Sequence, residues 1–202
     1  VASMAIMHDL MAEDMILGKE GNGWFTWDAL YKIKPLYTRK DERCYNIWND
    51  NYSIISSANY ILAAETTMAG DRKAVDYIMG QAYALRAFAY FALAQTYART
   101  IVGHEKEKCV PIYTGPTVPS TTGQPRSSNE AVYAQIESDL TKAAEKLKGL
   151  NKKHVSHLNY ATVQGLLARV KMVENKWADA KDAALQAINA SKCKILNIEG
   201  FR

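Results

Sequence analysis

Little in this sequence offers a covalent staple, a metal cage or a membrane span. The three cysteines, Cys44, Cys109 and Cys193, lie far apart with no CxxC pair. That excludes a readable disulfide framework or zinc site, and the thiols read as buried apolar fillers. Five prolines and eleven glycines are too few for a loop-dominated or many-stranded β protein. Charge of one sign is scarce as well: 25 Lys+Arg against 21 Asp+Glu leave a net +4. The excess is scattered among acids, as in Arg39-Lys40-Asp41-Glu42-Arg43, so no nucleic-acid partner is expected, because that needs a clustered basic face. The apolar run from Ala82 to Ala94 carries only Arg86 as a charge. It is well short of the roughly 17–25 residues that a bilayer demands. It reads instead as a buried central helix. Nucleotide motifs are missing too, since Gly21-Asn22-Gly23 is a bare GxG and no GxxxxGK[ST] occurs.

What is there is helix. The chain has 202 residues, 48% hydrophobic and 23% charged, enough for one domain with its own core. Ile47, Trp48, Tyr52, Ile54, Ile55, Ala58, Ile61 and Leu62 recur mostly at spacings of three and four, which predicts a helix over 44–65. Ala69-Gly70-Asp71 breaks it, and a second helix runs over about 72–97. Its alanines let neighbours approach on several sides. Arg86 inside it requires a buried ionic partner, because an unpaired buried guanidinium is very costly, and Asp139 is a candidate.

Residues 99–128 lose the period and hold four of the five prolines. So long a loop is usually functional or packed as an extended strap. Helix resumes at Ser127-Ser128-Asn129-Glu130, where Ser127 and Glu130 read as a capping box. Val132, Tyr133, Ile136, Leu140, Ala143, Ala144 and Leu147 follow as an amphipathic stripe closed by Gly149. The last two helices begin near Asn159, a plausible N-cap, and at Trp177, with a break at Glu174-Asn175-Lys176. Ala168, Ala180 and Ala187 match the tetratricopeptide spacing, in which small residues let two antiparallel helices touch. Such a unit cannot bury both faces alone and must stack on others. Trp177 reads as core.

The chemistry-bearing candidates are few. His154 and His157 have no third ligand nearby and read as solvated loop histidines, so no metal is expected. Asp9, Glu13, Asp14, Glu20 and Asp28 could supply the carboxylate pair of a glycosidase, but acids this frequent are usually just solvated. Gly23 to Tyr31 packs Trp24, Phe25, Trp27 and Tyr31 after a Gly/Asn-rich stretch. Aromatic faces stack on sugar rings while Asn22 and Asp28 hydrogen-bond hydroxyls. The same segment equally fits a hydrophobic strap over helix ends.

Several segments together resemble the SusD/RagB family of cell-surface glycan-binding lipoproteins. In family order these are Asp14-Met15; Trp48, Tyr52, Ile55 and Ala58-Asn59; Gly80-Gln81-Ala82 with Leu85-Arg86-Ala87-Phe88-Ala89-Tyr90-Phe91; and Val110-Pro111-Ile112. Pro125-Arg126, Val132-Tyr133, Ile136, Asp139-Leu140 and Ala143 follow, then Ala168-Arg169-Val170 and Trp177-Ala178-Asp179-Ala180. Two departures stand out: Tyr97-Ala98-Arg99 replaces the glycine often found after the core helix, and 103–108 looks like an insertion.

The resemblance implies an all-α fold of TPR-like antiparallel helix pairs with a long Pro-containing loop. It treats residues 1–202 as a single helical domain, the N-terminal part of a longer protein. It further implies a non-catalytic, surface-exposed outer-membrane protein, lipid-anchored through a segment absent from this chain, without a cofactor. That protein would bind oligosaccharide for uptake through a SusC-like TonB-dependent transporter. A TPR-type protein-interaction scaffold and an all-helical glycosidase are the rival readings. No family motif transfers binding residues, so Trp24, Trp27, Tyr31, Asn22 and Asp28 are nominated from local chemistry alone.

Overall fold

In the computed structural model the described residues are Leu10, Ala12, Met15, Ile16, Gly18, 25–30 and 42–191, excluding the side chains of Trp27, Asp28 and 42–45. They form α1 (Thr26–Ala29), α2 (Glu42–Ala63), α3 (Arg72–Tyr97), α4 (Asn129–Leu147), α5 (Tyr160–Val173) and α6 (Trp177–Ser191). No strand occurs among them, only an isolated antiparallel bridge between Lys108 and Ser128. The chain divides into two compact units, Val1–Asp50 and Asn51–Arg202. α2 crosses that division, and only its part from Asn51 onward is described with the second unit.

The second unit is a succession of helix pairs. α3 runs antiparallel to α4, because Gly80, Arg86 and Phe91 meet Leu147, Asp139 and Tyr133 in reverse order. Close approach is built in at Gly80, where an added Cβ would lie 2.5 Å from Leu147 Cγ. The apolar run becomes the core as expected: Met79, Ala84, Ala87, Ala89, Tyr90 and Leu93 are fully buried. Full burial of each large side chain contributes about 1.5–3 kcal/mol. One stripe departs from that reading, for Ile78, Leu85 and Phe88 are all exposed. α5 and α6 form the repeat hairpin, with Ala168, Ala180 and Ala183 buried between helices. Tyr160 Oη donates to Gln186 Oε1 at 2.5 Å across it.

Helix ends follow local chemistry with one displacement. Asn159 caps α5 as read, its Oδ1 accepting from Thr162 N at 2.9 Å. Gly149, at φ 76°, ends α4 in the left-handed region that glycine tolerates. The cap of α4 is Ser128 rather than Ser127, with Oγ accepting from Ala131 N at 3.3 Å. Ser127 is held elsewhere: its N–H donates to Val110 O and its carbonyl accepts from Cys109 N. Glu130 does not reach back either but pairs with Lys106. Asn175, at φ 58°, makes the tight turn between α5 and α6, a conformation asparagine tolerates. Trp177 is 61% exposed, which corrects its reading as core. It stands at the first position of α6, and Leu185 and Ile188 are exposed farther along the same helix.

Residues 99–128 are a packed strap. Tyr52, Asn59 and Tyr60 stand at i, i+7 and i+8 on α2, one helical stripe, and each offers a donor to a strap carbonyl. Tyr52 Oη donates to Pro111 O at 2.7 Å, Asn59 Nδ2 to Tyr113 O at 2.9 Å and Gly115 O at 3.1 Å, and Tyr60 Oη to Thr117 O at 2.6 Å. Alternate carbonyls of an extended chain point the same way. Side chains of α2 thus replace the neighbouring strand that such a segment would otherwise need.

Candidate functional site

Of the aromatic segment, α1 is one helical turn, with Ala29 N donating to Phe25 O at 3.0 Å and Leu30 N to Thr26 O at 3.1 Å. Trp27 and Asp28 lie on its backbone, but their side chains are outside the described set. Asn22, Trp24 and Tyr31 lie outside the described residues altogether. Phe25 enters the turn at φ 59°, an uncommon conformation for a bulky residue. Leu30, which ends the turn, is 56% exposed.

In the second unit the strap and α2 enclose an open groove of about 200 Å³, lined by Tyr52, Ile55, Ser56, Asn59, Tyr113, Thr117, Val118 and Thr121. The rings of Tyr52 and Tyr113 meet edge to face, with centroids 6.1 Å apart at 84°. Behind it sits a buried polar centre. Arg86 forms a two-pronged pair with Asp139, Nε to Oδ2 at 2.8 Å and Nη2 to Oδ1 at 2.7 Å. Arg86 Nη1 also donates to Asn59 Oδ1 at 2.6 Å, and Gln135 Nε2 adds a bond to Asp139 Oδ1 at 3.0 Å. The partner anticipated for Arg86 is therefore the observed one. Tyr90 Oη donates to Tyr113 O and accepts from Tyr113 N, at 2.9 and 2.7 Å. Burial pushes the Tyr90 phenol up to about 12 and the Cys109 thiol up to about 11. Both stay protonated at neutral pH, which suits Cys109 as filler rather than nucleophile.

A second charged cluster joins α4 to the turn after α5. Glu137 receives Lys171 Nζ at 2.6 Å and Lys176 Nζ at 2.7 Å, and Lys176 also meets Glu174 at 3.0 Å. Burial and the neighbouring Glu137 push the Glu174 carboxyl up to about 7. Its place at the C-cap of α5, the negative end of the helix dipole, acts in the same direction. Burial also opposes ionisation of Glu137, but hydrogen bonds from Glu174, Lys171 and Lys176 outweigh it and hold that carboxyl down at about 2.

His157 departs from a solvated loop residue: its Nδ1 lies 2.7 Å from Tyr77 Oη and its ring packs on the tyrosine. Among the described residues no three His, Cys, Asp or Glu side chains gather as metal ligands. No described helix is long and apolar enough to cross a membrane.

Sequence reasoning missed the groove and the Glu137–Glu174 pair. The groove had a readable signal, Tyr52, Ser56 and Asn59 on one helical face opposite a strap containing Tyr113. The paired acids had none, since 37 residues separate them and only the fold joins them.

A family model described as SusD-like, starch-binding and associating with the outer membrane, matches residues 7–172. A SusD superfamily protein from Bacteroides thetaiotaomicron is 26% identical, with a TM-score of 0.68 over 76% of this chain and 34% of its own. A SusD-like carbohydrate binding protein from Bacteroides vulgatus is 23% identical, with a TM-score of 0.70 over 98% of this chain and 46% of its own. A laminarin binding SusD-like protein is 22% identical, with a TM-score of 0.64 over 94% of this chain and 42% of its own. The chain therefore spans between about a third and a half of the length of these structures. No curated protein matches it.

Proposed function

This chain belongs to the SusD-like family, and from that premise we propose that it is part of a cell-surface protein that binds oligosaccharide without transforming it. The observation that carries the reading is the family match over residues 7–172, which takes in the aromatic segment, the strap and most of the helix pairs. The family description as starch-binding supports a glycan as the ligand class. In this reading residues 1–202 are the TPR-like domain of a longer, lipid-anchored protein at the outer membrane. Its partner is a SusC-like TonB-dependent transporter that receives the glycan.

The rings of Trp24, Trp27 and Tyr31 stack on pyranose faces while Asn22 and Asp28 bond the hydroxyls. Each aromatic contact contributes on the order of 1 kcal/mol, which suits weak capture and hand-over. Arg86 and Asp139 are committed to each other, and Arg86 also to Asn59 and to the strap carbonyl of Thr114, which supports a structural role for this pair. The exposed Trp177, Leu185 and Ile188 on α6 favour a further, protein-binding role for the repeat hairpin.

Titration calorimetry of the full chain against a panel of laminarin, starch and xyloglucan oligosaccharides tests the reading. Binding is expected for at least one, with loss in a Trp24→Ala/Trp27→Ala variant. Unchanged affinity in that variant removes the site assignment, and release of reducing ends overturns the non-catalytic reading.

A further inference from the structure

The groove under the strap lies outside the nominated aromatic segment, and its lining is chemically selective. No side chain lining it is charged, and Arg86 behind it is bound to Asp139 and Asn59. A charged ligand would have to give up its hydration there without a counter-ion, so a neutral one is favoured. Among the described residues the hydroxyls of Ser56 and Thr117 have no hydrogen-bond partner. Thr121 Oγ1 accepts from Val118 N and Tyr113 Oη accepts from Gln124 N, which leaves both with a proton to donate. Four hydroxyls that both give and take hydrogen bonds suit a polyol. Ile55 and Val118 supply apolar surface, and Tyr52 and Tyr113 meet at a perpendicular corner. A pyranose has this division, with C–H groups on its faces and hydroxyls at its rim. The volume of about 200 Å³ lies below the usual range for a drug-sized ligand and fits a single ring. The groove is also preformed. Its strap wall is fixed by bonds from Tyr52, Asn59, Tyr60 and Tyr90, so little ordering remains to oppose binding.

We propose that the groove between α2 and the strap is a second saccharide subsite, which takes one neutral pyranose unit against Tyr52 and Tyr113 with hydrogen bonds to Ser56 and Thr117. It rests on the reading of the chain as a glycan binder but uses no residue of the segment 22–31, so the two sites fail separately.

Methyl-resolved NMR of the full chain, titrated with the methyl pyranosides of glucose, galactose, mannose and xylose, is the test. At least one sugar is expected to give saturable shifts at Ile55 and Val118. A Ser56→Ala/Thr117→Val variant should weaken that response by about tenfold or more, the scale of one or two lost hydrogen bonds. Neither substituted hydroxyl has a partner among the described residues, so the variant should keep the wild-type methyl positions at Val163 and Val170. The Trp24→Ala/Trp27→Ala variant should leave the groove response intact, whatever it does to oligosaccharide affinity. The absence of saturable shifts with every sugar overturns the subsite, as does equal loss in the tryptophan variant. A groove already filled by further chain in a longer form of the protein, seen as no response there while the 202-residue chain responds, also overturns it.

Discussion

Asp139 and Glu137 stand two residues apart on α4 and serve opposite kinds of site. Asp139 is fully buried, and Arg86 and Gln135 satisfy its carboxylate with a matched set of donors. Glu137 meets two lysines but also a second carboxylate, and no donor among the described residues reaches the buried Glu174 Oε2. The first site organises the fold, because everything it touches belongs to a different segment: α2 through Asn59, the strap through Thr114 and Tyr113, α4 through Asp139. The second joins neighbours that packing already holds together. Burial separates them in part, the Asp139 side chain being 0% exposed and that of Glu137 26%. The difference lies in whether each buried lone pair and proton has a counterpart.

The sharpest way to break the comparison is Asp139→Ala. It strands a buried guanidinium, and the expected loss is about 3–5 kcal/mol in urea denaturation. Replacing both partners, Arg86→Met with Asp139→Leu, should restore much of that stability, since desolvation of both charges is then avoided. A loss below about 1 kcal/mol for the single variant would mean that water reaches the pair.

Asn59→Leu comes next. It removes the donors to Tyr113 O and Gly115 O and the acceptor for Arg86 in one step, and should cost about 1–3 kcal/mol. Its signature is local. Amide exchange at Tyr113 should accelerate, because the Tyr90 hydroxyl that receives this N–H depends on the strap staying in place. Uniform acceleration through α4 and α5 instead would show that the strap and the helix core open as one unit.

Much of the strap centre was legible before any coordinates. Arg86 in an alanine-rich helix demanded an anion, and Asp139, on the amphipathic helix 129–147, was one candidate. Several residues that carry the family resemblance meet around the strap: Asp139, Arg86 and Asn59 are joined by hydrogen bonds, Asn59 and Tyr90 both donate to Tyr113 O, and Tyr52 holds Pro111. Helix caps were legible to within a residue, and the error at Ser127 arose because its backbone is recruited by the strap. Trp177 was misread because periodicity identifies a repeat without saying whether a further helix covers its outer face. The nominated Trp24, Trp27, Tyr31, Asn22 and Asp28 remain a proposal from composition. A ring's fitness for a sugar depends on which way it faces, and spacing over eight residues does not fix that.

The smallest expected effect concerns the mismatched cluster, and its sign is set by linkage. Glu174 binds its proton more tightly in the folded chain, at about 7, than at its ordinary value of 4.5. Its contribution is fully present below about 4.5 and is lost as pH rises through about 7. Glu137 runs the other way: held at about 2, it contributes above 4.5 and loses that contribution as pH falls towards 2. Glu174→Gln keeps a neutral, donating side chain beside Glu137 at every pH and also removes an acid from the C-terminal end of α5. The variant should therefore match the native chain near about pH 5 and exceed its stability by about 1 kcal/mol near about pH 8, a modest figure because Lys176 lies 3.0 Å from Glu174 and offsets part of the cost of its charge. Thermal melts of both forms across that range measure the difference. Parallel curves would place Glu174 as an ionised partner of Lys176 at all these pH values. The two acids of α4 would then differ only in burial, not in how completely their charges are matched.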